Sequence, residues 1–108
     1  MKKNINDIFL QKIIKNSNVP ILVSFWANWC VPCKILSEII KNIKYFYKEK
    51  IKIVKLNIEY NYYSVEKFLI KNIPTIIIIK NKIIIKKKSG ILTKNYIKNI
   101  INKILNEK

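Results

Sequence analysis

With 108 residues, half of them apolar, the chain has material for one domain, residues 1–108, around a single modest core. Its formal net charge of +16 invites a nucleic-acid reading, yet all 22 basic residues are lysine and they are spread along the whole length. Arginine, the usual side chain for bidentate phosphate and base recognition, is absent, so specific nucleic-acid binding is set aside.

Isoleucine, lysine and asparagine make up more than half of the chain. Their codons are A/T-rich, and base bias is the simplest source of the charge. The charge should still aid solubility and attract acidic partners at low salt. Met1-Lys2-Lys3 is basic, but Asn4, Asn6 and Asp7 interrupt the run that a secretory signal would need. The stretch from Val19 to Val31 is too short to span a bilayer and carries Ser24 and Asn28, so no membrane association is expected. Two cysteines poised for exchange suit a reducing cytoplasm better than a disulfide-built secreted domain.

In chain order, the segment from Met1 to Ile5 has room for a short edge strand at most. Asn6 or Asp7 is expected to cap a first helix running to about Asn16, with Ile8, Phe9, Ile13 and Ile14 as its apolar stripe. Ile21 to Ala27 reads as a strand covered on both faces. A second helix opens at Cys30 and continues to about Lys48, its Ile35, Leu36, Ile39, Ile40, Ile43, Phe46 and Tyr47 recurring at helical spacing. Ile51 to Ile58 reads as another strand, with Ile51 and Ile53 facing one way and Val54, Leu56 and Ile58 the other.

Ser64 is placed as the cap of a short helix bearing Val65, Phe68 and Leu69. Ile76 to Lys80 and Ile83 to Lys88 form a hairpin turning at Asn81 and Lys82, with both isoleucine runs assigned to the sheet core. Thr93 caps a last helix that buries Tyr96, Ile97, Ile100, Ile101, Ile104 and Leu105. Helix-linked strands followed by a hairpin and a closing helix describe an α/β chain with a mixed sheet.

The chemistry concentrates in Trp29-Cys30-Val31-Pro32-Cys33-Lys34, which sits between a strand and a helix. These are the only two cysteines, and their spacing in a first helical turn stacks both sulfurs on one face. The helix N-terminus favours a thiolate at the first position, and Pro32 suits a turn that needs no internal N–H there. Two cysteines without histidine cannot complete a zinc tetrahedron, and the same absence removes Cys-His hydrolase chemistry. No phosphate-cradling glycine loop is present.

Phe25-Trp26-Ala27-Asn28-Trp29-Cys30, Pro32-Cys33-Lys34, Lys55-Leu56-Asn57-Ile58, Ile73-Pro74-Thr75 and Gly90 before the last helix resemble the thioredoxin family over nearly the whole length. The resemblance implies the thioredoxin fold, a central mixed β-sheet of four to five strands flanked by about four helices. It implies a protein-disulfide reductase in which Cys30 is the exposed nucleophile and Cys33, deeper in the turn, the resolving thiol, with no cofactor beyond the redox disulfide between them. Thioredoxin reductase would restore the dithiol, disulfide-bearing client proteins would be the substrates, and the chain would act as a monomer.

Pro74 would be cis and packed against the cysteines, and the backbone at Ile73 would offer hydrogen bonds to a client. Trp29, Gly90 and Ile91 would complete the client surface, while Trp26 reads as core. Val31 stands where the family usually has glycine, and Glu38 where it usually has proline. Ser24 stands where the family usually has a buried aspartate that takes a proton from the resolving cysteine. Resolution by Cys33 would then be slower or would rely on water and Lys55, and Lys55, lacking its carboxylate, would snorkel outward or lose its proton more readily. Gly90 is the only glycine, which suggests a place where a side chain would obstruct the backbone or a client, and a plain loop requirement explains it as well. Two alternatives stay open: a thioredoxin-fold scaffold in which the cysteines are idle, and a thiol oxidant or isomerase.

Overall fold

Strand β1 (Ile21–Trp26) is the axis on which the rest is hung. The computed structural model describes residues 5–106. β1 pairs in parallel with β2 (Lys52–Asn57) and antiparallel with β3 (Thr75–Lys80), and β3 pairs antiparallel with β4 (Ile83–Ser89), giving the order β2-β1-β3-β4. Helices α1 (Ile5–Asn16), α2 (Val31–Tyr47), α3 (Tyr62–Lys67) and α4 (Lys94–Asn106) cover the sheet, with a short 3-10 turn at Lys48–Lys50. This is the expected α/β arrangement, with four strands among the described residues. The suggested strand at Met1–Ile5 falls mostly outside the described residues, and Ile5 is helical.

Alternation along the central strands sorts their side chains into two layers. Leu22, Ile76 and Ile78 join α2 and α4 in one, through Leu36, Ile40, Ile43, Ile97 and Ile101. Val23, Phe25, Val54, Leu56, Ile77 and Ile79 join Leu10 and Phe68 in the other. The Tyr47 hydroxyl donates to the Lys98 carbonyl at 3.1 Å and lies 2.5 Å from Asn102 Oδ1, which ties α2 to α4.

Several expectations need correction, among them Tyr96, which is exposed while Ile97, Ile100, Ile101 and Ile104 of α4 are buried. Asn6 and Asp7 lie inside α1 rather than capping it, and Asp7 is buried. Its Oδ1 accepts the Ser64 backbone N–H at 3.1 Å and the Ser64 hydroxyl. Ser64 is therefore an interior residue of α3, whose N-terminal N–H is satisfied by α1 instead of by a local cap. In α1 the sheet-facing residue is Leu10, whereas Ile8 and Phe9 are exposed, because Asp7, Leu10 and Ile14 share the inward face. Leu69 is likewise exposed, at φ 54 just past the end of α3.

A further correction concerns β4. Ile76 to Ile79 are core as expected, but Ile83, Ile84 and Ile85 are exposed because β4 is the outer strand. The hairpin itself is as expected: Asn81 and Lys82 both have positive φ, 52 and 68, the pair of values a two-residue turn of this hand requires. Lys87 Nζ donates to the carbonyls of Phe68 and Leu69, covering the open end of α3.

Candidate active site

β1 ends at Trp26, and the chain turns through Ala27, Asn28 and Trp29 before α2 begins. Cys30 is the N-cap of α2 in extended conformation, with Pro32 in the first turn. There the first backbone N–H groups of the helix have no internal acceptor. The Cys33 N–H donates to Cys30 Sγ at 3.2 Å, so one of these donors is directed at the first sulfur. A donor so placed, together with the positive end of a 17-residue helix, favours the thiolate at Cys30 whenever the pair is reduced.

The two sulfurs are joined as a disulfide, with a Cα–Cα distance of 5.3 Å. Exposure does not separate the cysteines, since Cys30 is 5 % and Cys33 4 % exposed. The resemblance describes Cys30 as the exposed sulfur, and the difference lies instead in its neighbours. Trp29 and Val31 on either side of Cys30 are 66 % and 64 % exposed. Cys33 faces inward, against a cavity of about 260 Å³ lined by Ser24, Trp26, Lys34, Ser37 and Lys55 among others.

The loop before β3 closes the other side. The Ile73–Pro74 peptide bond is cis, and Ile73 packs with Ile58 and Trp26 against Ala27, Cys30 and Cys33. The residue before Pro74 is thus brought to the cysteine pair, and the cis bond itself is as expected. The Pro74 carbonyl accepts the Gly90 N–H at 2.8 Å, which sets Gly90 and the exposed Ile91 beside the prolyl loop. Thr75 Oγ1 donates to the Asn72 carbonyl at 2.6 Å and fixes the loop from its far end. An apolar depression of about 320 Å³ runs between Trp29, Ile58, Val65, Ile70 and Ile73.

A side chain at Gly90 would meet no neighbour within 4 Å, so obstruction is not what keeps glycine there. Its φ of 92 is, because residues with a Cβ rarely take that conformation. Ser24 is buried opposite Lys55 in the parallel register of β1 and β2. Lys55 snorkels, its ammonium donating to the Ser37 hydroxyl. Ser37 was not among the residues singled out from the sequence, although its position one helical turn after Cys33 places both on one face of α2.

A disulfide at the start of a helix beside a cis-prolyl loop is a distinctive constellation, and comparison with known proteins agrees with it. The family model described as Thioredoxin matches residues 2–103. The chain belongs to the thioredoxin family. It is 36 % identical to a thioredoxin of Haemophilus influenzae, over 92 % of this chain and 92 % of that one. It is 40 % identical to a thioredoxin of Rickettsia felis, over 95 % and 98 %, and 38 % identical to one of Buchnera aphidicola, over 88 % and 86 %.

The protein is accordingly a thiol–disulfide oxidoreductase of the protein-disulfide reductase type, built on the thioredoxin fold. The scaffold and oxidant alternatives are not favoured. Thioredoxins need no cofactor, and no helix among the described residues is long and apolar enough to cross a membrane.

Proposed function

We propose that residues 1–108 form one domain that reduces client-protein disulfides in the cytoplasm as a monomer, without a cofactor, and is itself restored by thioredoxin reductase. Cys30 is the nucleophile. Its thiolate attacks a client disulfide, one client sulfur leaves as thiolate, and a mixed disulfide forms. Cys33 then loses its proton and attacks Cys30 Sγ, forming the Cys30–Cys33 bond and releasing the second client sulfur. The observation that carries these roles is the disulfide at the helix start, with Cys30 Sγ accepting the Cys33 N–H.

Trp29, Val31, Ile73, Pro74, Gly90 and Ile91 receive the client: their loops surround the cysteines, and Trp29 and Ile73 also line the apolar depression. Pro32 shapes the first turn, while Lys34, Lys55 and Ser24 support Cys33 through its cavity. Insulin reduction tests the assignment. Cys30→Ser is expected to abolish turnover, and Cys33→Ser to accumulate a mixed disulfide visible by non-reducing mass spectrometry. Retained turnover in Cys30→Ser would overturn it. The midpoint potential of the dithiol separates reductant from oxidant independently.

A further inference from the structure

The cavity behind Cys33 is rich in hydrogen-bond donors and has no anion among the residues that line it. Ser24 and Ser37 bring hydroxyls, Lys34 and Lys55 ammonium groups, and Asn28 an amide. Trp26 also lines it, and its Nε1–H is buried with no hydrogen-bond partner among the described residues. The lining contains no aspartate, glutamate or histidine.

Cys33 lies against this cavity and is nearly sealed from solvent. To attack Cys30 it must give up a proton, yet no neighbour in the lining can take one near neutral pH. An ammonium has no lone pair, and a serine hydroxyl does not act as a base there. The cavity, at about 260 Å³, is several times the roughly 30 Å³ share of one water and so has room for a small organic anion together with water. The bond from Lys55 Nζ to Ser37 Oγ holds a positive charge at the wall of the space.

We propose that this cavity binds a small monocarboxylate, of the formate or acetate class, that serves as the proton acceptor for Cys33. The proposal rests on Cys33 being the resolving thiol. In the step, the carboxylate takes the Cys33 proton as the thiolate attacks Cys30 Sγ. The bond from Cys30 to the client sulfur breaks, and the client leaves as thiolate. The carboxylic acid then returns its proton to the client thiolate or to water, so the anion is regenerated and no electrons beyond those of the dithiol are used.

The test is single-turnover stopped flow of the reduced protein with a disulfide peptide, replacing potassium chloride by potassium acetate or formate at constant ionic strength. The resolving phase is expected to rise and saturate, reaching roughly tenfold the chloride rate, a modest share of what a positioned base supplies. In a parallel titration, the indole N–H signal of Trp26 in ¹H–¹⁵N spectra should shift with the same half-saturation, while that of Trp29 stays in place. Ser24→Asp, which supplies an internal carboxylate, should raise the rate in chloride and abolish both responses.

Should Ser24→Asp fold poorly, the wild-type rate and indole titrations decide the matter by themselves. A rise that never saturates, or one without a Trp26 shift, means catalysis from bulk solution and overturns the site. Normal exchange with no carboxylate response overturns it as well. Absence of exchange in either salt instead overturns the assignment of Cys33, and the proton step with it.

Discussion

β3 and β4 lie side by side, and each is built on a block of isoleucine. In β3, Ile76 and Ile78 enter the layer beneath α2 and α4, while Ile77 and Ile79 enter the layer shared with α1. In β4, Ile83 keeps 65 % of its surface, Ile84 40 % and Ile85 38 %. β3 has a strand on each side and packed layers on both faces, whereas β4 has one strand neighbour. The register also slips, pairing Ile79 with Ile84 and Ile78 with Lys86, so Ile85 is the extra residue of a bulge. That bulge and the following Lys86 to Lys88 discourage further strand addition. Apolar character states only that burial would be favourable; the topology decides how much burial is on offer.

The largest effect expected from this contrast is in β3. Ile77→Ala should destabilise by about 2–5 kcal/mol, read as a lowered urea midpoint at unchanged slope. A loss no greater than that of an edge isoleucine would break the comparison. Trp29→Ala sharpens it from the functional side, because Trp29 is as exposed as Ile83 yet lies beside Cys30. Its urea midpoint should hold, while kcat/KM for insulin falls roughly tenfold, the loss of a single aromatic anchor. Unchanged kinetics would remove Trp29 from the client surface.

Tyr47→Phe is intermediate, with about 1 kcal/mol lost along with the hydrogen bonds to α4. Burial raises the Tyr47 phenol above its ordinary 10.0, so the folded chain holds that proton more tightly than the unfolded chain does. Its contribution is complete below about pH 10 and is lost as pH rises through the higher folded value. The wild-type advantage over the Phe variant should therefore shrink in urea melts above pH 10, and a constant difference would contradict the assignment. Ile83→Thr is the smallest change, keeping a β-branched residue on an exposed edge. It should move stability by less than about 0.5 kcal/mol, and a larger loss would mean that the edge is covered in solution.

The cysteine site was legible because its chemistry is local. Cys30, Pro32 and Cys33 fall within one helical turn, and the cis bond expected at Pro74 follows from a short motif resemblance. The Asn81–Lys82 hairpin was equally local, a turn of two residues between two isoleucine runs. Asp7 was not legible, since its partner Ser64 lies 57 residues away and a capping residue looks the same wherever its helix end is found. The Ser37–Lys55 contact needed α2 and β2 brought together, 18 residues apart. Helical spacing alone could not rank Ile8 and Phe9 against Leu10, because all three are apolar and only the docking of α1 chooses among its faces.

Residue order by itself determined the helix and strand periodicities and the sulfur pair in a first helical turn, since each depends on interactions within a few bonds. Which isoleucines are sheltered, what Asp7 caps, and the donor-lined space behind Cys33 were decided by tertiary structure. Those properties depend on surfaces contributed by segments distant in the chain, and such surfaces exist only once the strands have taken the order β2-β1-β3-β4.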